Sequence, residues 1–71
     1  MTPPANPILQ YFNYEHLPDK LKAISKPFGD LAYHMAAVLP PSAETSAGLR
    51  KLLEAKDCAV RAALTAEAPQ A

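Results

Sequence analysis

The residues of this chain best suited to chemistry are the run Tyr11-Phe12-Asn13-Tyr14-Glu15-His16 and the lysines that follow it, Lys22 and Lys26. An aromatic face holds a nucleobase by stacking, worth about 1–3 kcal/mol per base, whatever the base. A lysine offers a compact charge to a phosphate oxygen, and an arginine grips one with two parallel bonds. Rings beside ammonium groups therefore suit a ligand made of bases and phosphates. The competing role for the same rings is to plug one end of a helical hairpin.

Two further placements bear on that choice. Lys22, Lys26, Gly29 and Tyr33 fall at intervals of 4, 3 and 4 on one helical face, leaving a gap opposite the glycine in which a phosphate can sit. The alternative is that both lysines simply snorkel at the edge of an amphipathic helix. Lys56 interrupts the apolar series Leu49, Leu53, Val60, Leu64, so its charge must reach water, a carboxylate or a ligand. Catalysis has less to build on. His16 and His34 have no nucleophile motif, Cys58 lies among alanines with no base one turn away, and no His/Cys spacing fits a metal. No phosphate loop, dinucleotide fingerprint or zinc-finger pattern occurs. The reading is of a protein that is not an enzyme and carries no cofactor or metal.

Length sets the frame for these residues. A chain of 71 residues makes at most one domain, and two helices with frayed ends bury too little apolar surface to offset chain entropy comfortably. Small scaffolds need a staple or a partner. One cysteine excludes an internal disulfide, which leaves oligomerisation. Seven basic residues balance seven acidic ones, so the strong positive field that draws proteins to nucleic-acid polymers or anionic membranes is missing. Phosphate recognition has to be local. No apolar run is long enough to span a membrane and no secretory leader is present, which points to the cytosol with Cys58 reduced.

The elements that must position these residues are two helices. Pro3, Pro4 and Pro7 mark residues 1–9 as a flexible tail. Leu17, Leu21, Ile24, Phe28, Leu31, Met35 and Val38 recur at 4, 3, 4, 3, 4, 3, a heptad stripe that predicts a helix packing on another helix. Pro18 and Asp19 suit its first turn. Pro27 should kink it by removing the bond to the Ala23 carbonyl. Leu39-Pro40-Pro41 ends it, and Ser42 is placed to cap a second helix from about Ala43 to Leu64, with Leu49, Leu52, Leu53, Val60 and Leu64 inward. The short turn makes the pair antiparallel. Arg50, Glu54, Asp57 and Arg61 can pair along the outer face. Ala55, Cys58, Ala59, Ala62 and Ala63 form a row of small side chains, a candidate subunit interface. The domain reading is a tail over 1–9, an all-α antiparallel two-helix hairpin over 10–65 with a short N-terminal aromatic segment, and a tail over 66–71.

The order Phe12-x-Tyr14-x-His16-x-Pro18, Leu31-Ala32, Pro40 or Pro41 before Glu44, Gly48-Leu49-x-x-Leu52-Leu53-Glu54-Ala55 and Ala59-Val60-Arg61-Ala62-Ala63 resembles the anti-CBASS protein 2 family. These are short phage hairpin proteins that sponge cyclic oligonucleotide immune signals, and they are related to the hairpin domain of a Thoeris anti-defence protein. Glu15 intervenes here where the family has tyrosine and histidine adjacent. The resemblance implies a homohexamer that holds cyclic dinucleotides such as cGAMP between protomers, and in some members cyclic trinucleotides at separate sites, without cleaving them. It implies that the chain acts in the host cytoplasm against anti-phage defence. Tyr14 or Tyr11 matches the base-stacking tyrosine, Lys26 best matches the phosphate-binding lysine with Lys22 beside it, and Arg61 matches a polar residue near the end of the second helix. A helical adaptor that binds a host or phage protein through its aromatics remains the alternative, with a scaffold subunit third.

Overall fold

The computed structural model describes residues 7–65, and among them all regular structure is helical. A short 3-10 helix, Pro7–Phe12, precedes α1, Asp19–Val38, and α2, Ala43–Thr65. The two long helices pack on each other as a hairpin, and the 3-10 helix packs on both. The tails assigned to residues 1–6 and 66–71 lie outside the described residues.

The N-terminal boundary needs correction, because residues 7–9 belong to the fold. Pro7 pre-sets the backbone angle for a helical turn and has no amide hydrogen to waste there. A three-residue repeat then puts Leu9 and Phe12 on one edge and Ile8 and Tyr11 on another. Ile8, Leu9 and Phe12 are all buried, Phe12 with 1% of its surface left exposed, whereas Tyr11 keeps 59%. Proline density reads as a tail only until the apolar residues between the prolines find a surface to cover.

That surface is the small-residue face of α1. Ser25, Gly29 and Ala32 are the buried residues of this helix, each one position round from the bulky Ile24, Phe28 and Leu31 of the predicted stripe. Phe28, Met35 and Ala36 pack at the margin of the core, but Leu31 and Val38 remain 47% and 60% exposed. Small side chains let the 3-10 helix and α2 come close, and Phe12 with Leu49 supplies the bulk this face lacks. The expected stripe therefore only half enters the core. The smallest extent is 15 Å, and among the described residues no second layer covers the rest.

The helix ends follow the sequence closely. Pro18 caps α1, with Lys22 N–H donating to its carbonyl at 2.8 Å. Pro27 lies inside an uninterrupted α1, so it does not break the helix. The Ser42 hydroxyl accepts the Thr45 amide at 3.1 Å, and the Thr45 hydroxyl donates to the Pro40 carbonyl at 2.8 Å, closing the turn between the helices. One polar atom is poorly served: Ser25 Oγ is buried and has no hydrogen-bond partner among the described residues. A buried orphan hydroxyl costs about 1–3 kcal/mol. Ser25→Ala should therefore raise the midpoint of urea denaturation, by about 1 kcal/mol of stability, and a loss of stability would show that the hydroxyl is satisfied in solution.

Candidate functional site

Between the 3-10 helix and α1 the chain turns sharply, with Asn13 N–H donating to the Gln10 carbonyl at 3.4 Å and Leu17 N–H to the Tyr14 carbonyl at 3.0 Å. This turn lays Tyr14 along α1. Its Cδ2 and Cε2 edge meets Gly29, where a Cβ would stand 3.1 and 3.2 Å from those atoms and 2.8 Å from the Phe12 carbonyl oxygen. The gap expected opposite the glycine is thus filled by the protein's own aromatic segment and is not an open phosphate seat.

Around the ring the polar contacts converge. The Tyr14 hydroxyl donates to Asp30 Oδ1 at 3.2 Å, and Lys26 Nζ donates to Asp30 Oδ2 at 2.7 Å. The ammonium group also stands 5.6 Å from the Tyr14 ring centroid, within cation–π range. Lys26 is held above the ordinary lysine value, first by its hydrogen bond to Asp30 and then by that carboxylate's charge. Asp30 is held below the ordinary carboxylate value, first by the hydrogen bond from Lys26, with burial opposing and Tyr14 assisting. A depressed carboxylate contributes above its unfolded value and loses that contribution as pH falls through the folded one, so acidification frees Tyr14 and Lys26 from Asp30. Both side chains are more than half exposed, so this linkage orients the site more than it stabilises the fold.

Tyr33 donates to Asn13 Oδ1 at 3.3 Å, and Lys22 lies 3.8 Å from Glu15. A cavity of about 690 Å³ opens here, lined by Tyr14, Tyr33, Asn13, His16 and the carboxylates of Glu15 and Asp30. The structure thus brings Tyr14 and Lys26 together and sets Lys22 against Glu15, with both lysines beside the cavity through the carboxylates they pair with and neither lining it. Tyr11 is on another side, in a groove with Arg50 and Ser46. Arg61 is exposed near the end of α2, its guanidinium 3.4 Å from Cys58 Sγ, and it does not line the Tyr14 cavity. Asp30 and Asn13 were not foreseen. Asp30 was legible in principle, since it follows Lys26 by four residues on the same helical face.

The remaining charges are mostly structural. Lys56 reaches Asp57 at 3.2 Å with 15% of its side chain exposed, which resolves its awkward place in the apolar series. No ion pair joins Arg50, Glu54, Asp57 and Arg61 to one another among the described residues. Nor is any group of three or more His, Cys, Asp and Glu residues among them placed to hold a metal ion. No described helix is long and apolar enough to cross a membrane. The class defined by fold and site is a small helical hairpin that presents a tyrosine–lysine–aspartate cluster beside an open cavity. No family model, curated protein or solved structure matches the chain.

Proposed function

We propose that this chain is a phage-encoded sponge that sequesters cyclic dinucleotide immune signals such as cGAMP in the host cytoplasm and so blunts anti-phage defence. The observation that carries the reading is the Tyr14 ring fixed against Gly29 with Lys26 5.6 Å from its centre, beside a cavity large enough for a nucleobase. A base stacks on the ring, a phosphate takes the free donors of Lys26, and the ligand leaves unchanged. Cyclic trinucleotides are a further ligand class in this reading.

Assembly belongs to the same proposal. Leu31, Val38, Leu39 and Leu64 are 42–60% exposed, and Ala55, Cys58 and Ala62 lie exposed along α2. A chain this small gains from covering them with further copies of itself, most simply in a closed symmetric ring such as a hexamer. Light scattering at micromolar concentration should report an oligomer, and Ala62→Glu should dissociate it. A stable helical monomer would sink this part of the proposal. The same exposed residues favour the second reading, an adaptor whose apolar face docks on another protein.

Thermal-shift measurement with a panel of 3′,3′- and 2′,3′-linked cyclic dinucleotides separates the two readings. A ligand that binds only the folded state adds about 2.7 kcal/mol at 100 times its dissociation constant. Tyr14→Ala and Lys26→Ala should each weaken calorimetric binding by about 1–3 kcal/mol while leaving the helices folded. No shift with any of these ligands favours the adaptor, and turnover of the ligand refutes sequestration.

A further inference from the structure

The cavity beside Tyr14 shows its ligand two carboxylates, Asp30 and Glu15, and each is already matched to one lysine, Lys26 at 2.7 Å and Lys22 at 3.8 Å. Each pair is neutral as a whole. The Lys26 ammonium has three donors, and with 56% of its side chain exposed it can reach a phosphate without leaving Asp30. A phosphate oxygen bound there lies within about 5 Å of the Asp30 carboxylate, two hydrogen-bond lengths through the shared ammonium. At any one phosphate the first charge is balanced by the ammonium, and a second charge on that same phosphate meets only the carboxylate beside it. A phosphodiester carries one negative charge, whereas a terminal phosphomonoester carries about 1.5 to 2 at neutral pH.

We infer that Asp30 and Glu15 make this site selective for nucleotides whose phosphates are all diesters, and that they turn away linear nucleotides ending in a phosphomonoester. The inference rests on reading the cavity as a dinucleotide pocket. It assigns the two carboxylates a task that neither stacking nor phosphate binding requires, since both weaken the field of the lysines they accompany. The consequence is discrimination between a ring-closed signal and the linear nucleotide made by opening one of its linkages. Ordinary mononucleotides with terminal phosphates are excluded by the same repulsion.

Calorimetry on the whole protein tests this with three probes: a 3′,3′-linked cyclic dinucleotide, the linear dinucleotide of the same bases with a 5′-phosphate, and that linear dinucleotide with a free 5′-hydroxyl. The two linear probes differ in the terminal phosphate, and the salt dependence and the carboxylate variants separate its charge from its size. The phosphorylated one should bind about tenfold more weakly than its hydroxyl counterpart, a gap that narrows with added salt. Asp30→Asn should reduce the gap to about threefold or less, because the repelling charge is gone. Glu15→Gln should narrow it in the same direction, and it decides the matter should Asp30→Asn loosen the aromatic segment, because the Glu15 side chain is 83% exposed. Equal affinity for the two linear probes, or a gap unchanged in both variants, overturns the inference and leaves the sponge reading standing. No binding of any of the three overturns the sponge reading and the inference with it.

Discussion

Phe12→Ala should cost about 3–5 kcal/mol, the usual loss when a fully buried aromatic ring is truncated. Phe12 is the largest fully buried side chain among the described residues, and it shares one core cluster with Ala32 of α1 and Leu49 of α2. A domain of this size holds only about 4–10 kcal/mol of stability, so the variant should lose cooperative unfolding, or keep it only at low temperature. Urea denaturation followed by far-ultraviolet circular dichroism measures this. Tyr11→Ala is the control: its neighbouring ring is 59% exposed, and its removal should change stability by no more than about 0.5 kcal/mol. If Phe12→Ala costs less than about 1 kcal/mol, the N-terminal segment is not docked in solution.

The second large effect is at Gly29. A Cβ there would stand 2.8 Å from the Phe12 carbonyl oxygen, a backbone atom that cannot swing aside as a flexible side chain would. Gly29→Leu should therefore lift the aromatic segment off α1, at a cost of about 1–3 kcal/mol for overpacking, and it undoes the seating of Phe12 as well. Ligand affinity should fall with it by at least about tenfold, since the Tyr14 ring loses its floor. Gly29→Ala should do both to a smaller degree, because alanine recovers about 1 kcal/mol of helix propensity. Gly48→Ala is the matched control. Its Cβ would meet only the Met35 methyl at 3.4 Å, an ordinary contact, so it should be neutral or stabilising. Equal behaviour of the two alanine variants would mean that the close approach at Gly29 is absent.

Both long helices, the Ser42 cap and the turn between them were legible from apolar spacing and capping chemistry. What was not legible was the third element. Ile8, Leu9 and Phe12 sit among prolines in a run too short to show a period, and their burial depends on a surface made by Ser25, Gly29 and Ala32, which hydrophobic patterning passes over. For the same reason the heptad stripe of large apolar residues lies one residue off the face of α1 that packs most tightly. At the site, residue types mark only an aromatic run beside Lys22 and Lys26; the choice of Lys26, with Tyr14 or Tyr11, comes from the family resemblance, and the contact between Tyr14 and Lys26 comes from the turn that lays the ring along α1. Tyr11 was harder to place, because the three-residue repeat of a 3-10 helix turns it away from Phe12 and toward Arg50. Asp30 carries the charge that a site for anions disfavours, and only its place four residues after Lys26 marks it in the sequence.

The pairing of Lys26 with Asp30 and of Lys22 with Glu15 bears on how fast such a protein can capture anything. Cations cancelled within a few ångströms project little field even inside the Debye length, so an incoming anion is not guided and meets the site at an unsteered rate. On the proposed sequestration reading, the chain would compete with a signalling receptor through the number of sites it presents, not through the speed of any one of them. A chain of 71 residues makes that number cheap to raise.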